Sequence, residues 1–200
     1  MPPSDDLDAV LENPIVKDKH MPDTQDTYAS NVPSHASALS DVNHQPYLLT
    51  TNRHKGPEIR NALPGVHVTP CFIDTENGLW VLYSRFEAGT LLPKHYHTGT
   101  VHFYTTAGSW AYVEYPDDVQ TEGSYLYEPG GSIHTFESKE GAEGFMVVNG
   151  ANVNFDVDGQ FMNIMDAAWI ENVLIRVAKE TGQKLPRYIR PQAMADFSDC

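Results

Sequence analysis

Three histidines stand close together in the stretch Gly89–Gly108, GTLLPKHYHTGTVHFYTTAG: His95, His97 and His102. Side chains one residue apart on a β-strand point to the same face, so His95 and His97 would project together. A fourth, His134, ends a second stretch, GSYLYEPGGSIH, beyond a Pro-Gly-Gly turn. Neutral imidazoles are common ligands of Zn, Cu, Ni and Fe. If the two stretches close over one ion, His95, His97 and His134 would face it together and leave other coordination positions open. Softness alone does not choose among Fe(II), Zn(II), Ni(II) and Cu(II). His20, His35 and His44 have no partners at ligand spacing and read as surface residues.

The elements that must hold these residues read as short strands. VHVTPCFID (66–74) and LWVLYSRFE (79–87) flank an Asn77-Gly78 hairpin signal, and Pro70 places the first at an edge or a bulge. VHFYTTA and SWAYVEY are expected to pair across Ala107-Gly108, and PDDVQTEG (116–123) to form a loop. SYLYE and IHTFES flank the Pro-Gly-Gly turn, and FMVVNGANVNF and QFMNIM follow. About nine strands with no helices between them predict an all-β antiparallel barrel or sandwich. One helix is expected over 166–182, with Asp166 as N-cap, Gly182 beyond its C-terminus, and Trp169, Ile170, Val173, Leu174 and Val177 on an apolar face. That face would cap the barrel or enter a subunit interface.

Composition narrows the function. A formal charge of −14 over 200 residues argues against nucleic acid and against anionic membrane surfaces. No run is apolar enough to span a bilayer, and MPPSDDLDAVLENP lacks the pattern of a secretory signal. Cys71 and Cys200 make no disulfide framework and suit a reducing, cytoplasmic setting. Residues 1–45, rich in Pro, Ser, Asp and Asn, read as an acidic extended arm; residues 46–200 read as the barrel with its helix and tail.

The spacing of the two histidine stretches resembles the two motifs of the cupin family. Gly89, His95-Tyr-His97, His102 and Gly108 match the first, except that His102 stands where that motif normally carries Glu. Gly123, Pro129-Gly-Gly131 and His134 match the second, with Ser138 in place of its usual final Asn. Within cupins, HYHTGTVHFYTTAGSWAYVEY and TEGSYLYEPGGSIHTF resemble the 2,4′-dihydroxyacetophenone dioxygenase group, with acetylacetone dioxygenase a looser relative. The resemblance implies a small jelly-roll barrel and a non-haem Fe(II) site on His95, His97 and His134. It also implies O2-dependent cleavage of a C–C bond beside a carbonyl, in a small hydroxyketone or β-dicarbonyl substrate. A homo-oligomer is expected as well.

His102 is then either a fourth metal ligand or a group that hydrogen-bonds what the metal binds. The chemistry favours the second, because substrate chelation and O2 together need three open positions. Strand parity adds a condition: if His102 points inward, Tyr104 and Thr106 do too, and if His134 does, so does Phe136. Tyr104 is the candidate aromatic contact to substrate. Two rival functions use the same residues: another metal-dependent cupin enzyme (isomerase, decarboxylase or secondary-metabolite oxygenase), or a non-enzymatic metal- or ligand-binding module such as the cupin half of an anti-sigma regulator.

Overall fold

The computed structural model describes residues 49–191 and the backbone of 196–197. The acidic arm expected over residues 1–45, with His20, His35 and His44, lies outside the described residues, as does Cys200. In chain order the strands are β1 (Ile59–Leu63), β2 (Val66–Asp74), β3 (Leu79–Phe86), β4 (Thr90–Leu91), β5 (Lys94–His97) and β6 (Val101–Tyr112). There follow β7 (Tyr115–Thr121), β8 (Tyr125–Glu128), β9 (Ile133–His134), β10 (Phe136–Ser138), β11 (Ala142–Asn149), β12 (Asn152–Phe155) and β13 (Phe161–Met165). Helix α1 (Ala167–Thr181) precedes two short strands, β14 (Ile189–Arg190) and β15 (Asp196–Phe197).

The fold is mostly β, as expected: an antiparallel sheet curled into a half-barrel, with one helix near the C-terminus. The larger sheet runs β15-β14-β2-β3-β11-β6-β10-β4, with β1 on β2 and β7 and β8 on β6. A four-stranded sheet runs β13-β12-β5-β9. The β14–β2 pair is parallel. Trp80, Ile73, Val101, Phe103, Trp110, Phe136 and Val148 are buried in the core between them.

Several turns differ from the sequence-based expectation. Ala107-Gly108 is no hairpin: β6 runs straight through it for 12 residues. Gly108 has φ 72°, and a Cβ there would lie 2.1 Å from the Gly141 carbonyl oxygen. A side chain is therefore excluded inside a continuous strand, where β6 and β11 shift register. The expected loop 116–123 is mostly β7, which pairs with β6. Its side chains are almost all exposed, so no apolar alternation marks it as a strand. FMVVNGANVNF divides at Gly150, φ 105°, into β11 and β12, which belong to different sheets. IHTFES divides at Thr135 in the same way. The turn at Asn77-Gly78 is four residues long and is tied by the Asp74 carboxylate, which accepts from the backbone of Glu76 and Asn77. Pro70 does precede a bulge, at Cys71.

The helix forms as expected. Asp166 Oδ1 accepts from the Trp169 N–H at 2.7 Å, and Gly182 closes the other end in the left-handed conformation, φ 68°. Its apolar face caps the half-barrel: Trp169, Ile170, Val173 and Leu174 line the interior cavity.

Candidate metal centre

The three expected ligands meet. β5 alternates exposed Lys94, buried His95, half-buried Tyr96, buried His97. β9 lies antiparallel to it, with His134 directly opposite His95. The potential ligand atoms of His95, His97 and His134 all lie within 4.8 Å of one another, and each side chain is at least nine-tenths buried. Nε2 of His97 is 3.0 Å from Nε2 of His134. His95 Nδ1–H donates to the Pro93 carbonyl at 2.8 Å, which leaves Nε2 with a free lone pair. Burial pushes the His95 imidazole down to about 4, opposed by the Pro93 hydrogen bond and helped by the two neighbouring histidines. At neutral pH it is the unprotonated form a metal needs.

A fourth group stands in the cluster that the sequence did not suggest. Glu128, at the end of β8, places Oε2 2.9 Å from His97 Nε2 and 3.0 Å from His134 Nε2. Yet Oε2 is buried with no well-aligned hydrogen bond. Ligands about 2.0–2.2 Å from one ion stand roughly 3.0–3.4 Å from each other, so these spacings fit a shared metal. The other oxygen, Oε1, accepts from the Tyr112 hydroxyl. Burial opposes ionisation of Glu128, but the closeness of His134 and His97 holds its carboxyl well below the usual carboxylate range. Tyr112 also stacks on His134, with ring centroids 3.7 Å apart, and its phenol is pushed far up by burial and by Glu128. The sequence signal for Glu128 was parity on β8. Leu126 and Glu128 turn inward while Tyr125 and Tyr127 turn out, so a carboxylate is carried inward just before Pro-Gly-Gly.

The structure places His102 and Tyr104 elsewhere. On β6 Val101, Phe103 and Thr105 are buried, while His102 and Thr106 are half-buried and Tyr104 is 48% exposed. His102 Nδ1 shares a hydrogen bond of 2.5 Å with the Tyr125 hydroxyl and lies against the Tyr127 ring, both on the outer side of β8. The parity condition holds with the opposite sign: His102, Tyr104 and Thr106 all face away from the cavity. His102 is therefore neither a ligand nor a neighbour of the metal centre, and Tyr104 does not line the cavity. His102 stands where the first motif normally carries Glu, and the carboxylate beside the histidines is that of Glu128. The second parity condition holds as stated, with Phe136 buried like His134.

Beside the histidines lies a cavity of about 430 Å³. Its walls are chiefly apolar, including Trp80, Phe86, Phe103, Met146 and the helix face. Among the described residues its polar lining is Ser84, His95, His97, Tyr112, Asn152, Asn154 and Asn163, with no Lys or Arg.

The motif residues, their burial and the two-sheet fold agree with a family model described as ChrR cupin-like domain, which matches residues 50–153. The chain belongs to that cupin family. A cupin-like protein of unknown function from Ralstonia eutropha JMP134 is 42% identical, with a TM-score of 0.68 over 76% of this chain and 96% of that one. An RmlC-like cupin from the same organism is 27% identical, TM-score 0.60, over 69% and 92%. An acetylacetone dioxygenase from Acinetobacter johnsonii is 15% identical, TM-score 0.58, over 68% and 95%, and shares the fold. No curated protein matches. Among the described residues no helix is long and apolar enough to cross a membrane.

Proposed function

We propose that this cupin is a non-haem Fe(II)-dependent dioxygenase that cleaves a C–C bond next to a carbonyl in a small hydroxyketone or β-dicarbonyl. One observation carries the proposal: three buried imidazoles and one buried carboxylate converge at the side of an apolar cavity that, among the described residues, no Lys or Arg lines. The motif resemblance to the 2,4′-dihydroxyacetophenone dioxygenase group supports the reaction class, and the Acinetobacter neighbour is a dioxygenase of this fold.

His95, His97 and His134 would hold the metal, with Glu128 Oε2 beside them. Bound Fe(II) would supply Lewis acidity toward chelating oxygens and electrons for O2. The charge count then selects the substrate form. A divalent ion with one carboxylate carries a net charge of about +1, which a monoanionic enolate would neutralise. Among the described residues no Lys or Arg lines the cavity to hold a carboxylate or phosphate remote from the metal. Glu128 lies beside two of the imidazoles and would hold negative charge there, with Tyr112 fixing its orientation. The helix face and Phe103, Phe86 and Met146 exclude water from the reacting carbon.

The test is oxygen uptake by the Fe(II)-loaded protein with 2-hydroxyketones and β-diketones. Consumption of O2 with formation of carbonyl or carboxylic acid fragments is expected. Conversion of the same compounds without O2, at an undiminished rate, would instead make the protein an isomerase or decarboxylase. We propose self-association as well, through the outer aromatics Tyr104, Tyr125 and Tyr127 rather than the helix, whose apolar face is used inside. Sedimentation as a clean monomer at micromolar concentration would remove that proposal.

A further inference from the structure

His97 on β5 and Asn152 on β12 stand directly opposite each other in the sheet. Both side chains are deeply buried, 2% and 5% exposed, and both line the cavity. Each keeps one polar atom without a hydrogen-bond partner: Nδ1 of His97 and the carboxamide oxygen Oδ1 of Asn152. A buried polar atom left unpaired is destabilising. These two are complementary. When Nε2 of His97 gives its lone pair to a metal, the proton of the neutral ring sits on Nδ1, which becomes a donor. Oδ1 is an acceptor.

The neighbouring pair is tied elsewhere. His95 already donates its Nδ1–H to Pro93. Asn154, two residues from Asn152 on the same face and opposite His95, donates its amide to Asn163 Oδ1 at 2.7 Å. Opposed residues of an antiparallel pair have Cβ atoms about 4.5–5.5 Å apart. Nδ1 and Oδ1 each lie two bonds beyond Cβ, within reach of one another across such a pair.

We propose that Asn152 is the positioning residue of His97: with a divalent metal on the histidines, His97 Nδ1–H donates to Asn152 Oδ1. The bond fixes the tautomer that presents Nε2 and holds the ring plane. The proposal rests on His95, His97 and His134 being a metal site, and adds the residue that orients one of them. Loss of such an outer hydrogen bond typically weakens metal binding about 10–100-fold.

The test uses the full chain with Co(II) as probe, titrated by its visible absorption and by competition with a chelator. Asn152→Leu, which keeps the volume and removes the acceptor, is expected to bind Co(II) about 10–100-fold more weakly. Asn152→Asp keeps an acceptor and is expected to hold Co(II) at least as well as the wild type. In the Zn(II)-loaded wild type, a slowly exchanging His97 Nδ1–H resonance is expected in 1H–15N spectra. Asn152→Leu binding within about twofold of wild type, or Asp weakening it as much as Leu, would overturn the proposal. If Asn152→Leu fails to fold, the Asp variant and the Zn(II) spectrum decide, and absence of the protected resonance counts against it. A wild type that takes up no Co(II) would overturn the metal site itself, and this inference with it; the wild-type titration alone tells the two failures apart.

Discussion

Two faces of this molecule draw on the same histidine-rich stretch. The inner face takes His95 and His97 and joins them to His134 and Glu128 in a buried cluster. The outer face takes His102 and joins it to Tyr125 and Tyr127. The residues are close in sequence, yet they lie on different sheets and opposite sides. The divider is the Thr98-Gly99-Thr100 turn, which carries the chain from β5 in the four-stranded sheet to β6 in the larger one. The turn is pinned. The Thr98 N–H donates to the Ala151 carbonyl, the Ala151 N–H donates to the Thr98 hydroxyl, and a Cβ on Gly99 would lie 1.9 Å from the Asn149 carbonyl oxygen. Because Val101 enters β6 facing inward, His102 must face out. Clustering of histidines along a chain therefore marks a candidate metal site, but strand entry decides which of them belong to it.

The sharpest way to break this contrast is to remove one histidine from each face. His97→Ala should abolish tight metal binding, measured by metal analysis after desalting, since it deletes a ligand. Glu128→Gln comes next. It keeps the shape and removes the charge beside two rings, and metal affinity should fall about 10–100-fold, the range for groups supporting a metal site. Unchanged affinity would detach Glu128 from the inner cluster.

Acid should attack the inner face selectively. His95 is held to about 4 in the folded state against an ordinary value of 6.5. The unfolded chain therefore binds the extra proton between those values, and folded stability is full above about 6.5 and falls as pH drops toward 4. For the metal-free protein the loss is on the order of 3 kcal/mol at most, read as a falling urea midpoint between pH 7 and 4.5. His95→Gln should flatten that slope. Gly99→Ala would sharpen the contrast by pressing on the divider itself: overpacking against a backbone carbonyl should destabilise by about 1–3 kcal/mol, with metal affinity falling in step.

The smallest effect belongs to the outer face. His102→Ala removes a surface hydrogen bond and should change stability by about 0.5 kcal/mol or less. Metal content and turnover should stay at wild-type levels. A loss of metal comparable to that of His97→Ala would show that the two faces are not separate.

Much of this architecture was legible in the sequence because local physics produces it. Period-two runs bounded by turn residues marked β2, β3 and β8 almost to the residue, and the Asp166 and Gly182 caps marked α1. The His-Tyr-His spacing put two candidate ligands on one strand face, and the stretch ending beyond the Pro-Gly-Gly turn supplied His134. Other features depended on contacts far apart in the chain. Gly108 resembles a turn residue, and only the approach of Gly141 shows that it serves a continuous strand. β7 exists by backbone pairing to β6, without an apolar face to announce it. Glu128 joins the buried histidine cluster only because β8 closes against β6 in a register that opposes it to Val101, on the inward side. The inward or outward sense of His102 rested on one residue of register at the entry to β6. A one-residue slip reverses every side chain of a strand, and it is the burial of Val101, Phe103 and Thr105 against the rest of the core that sets it.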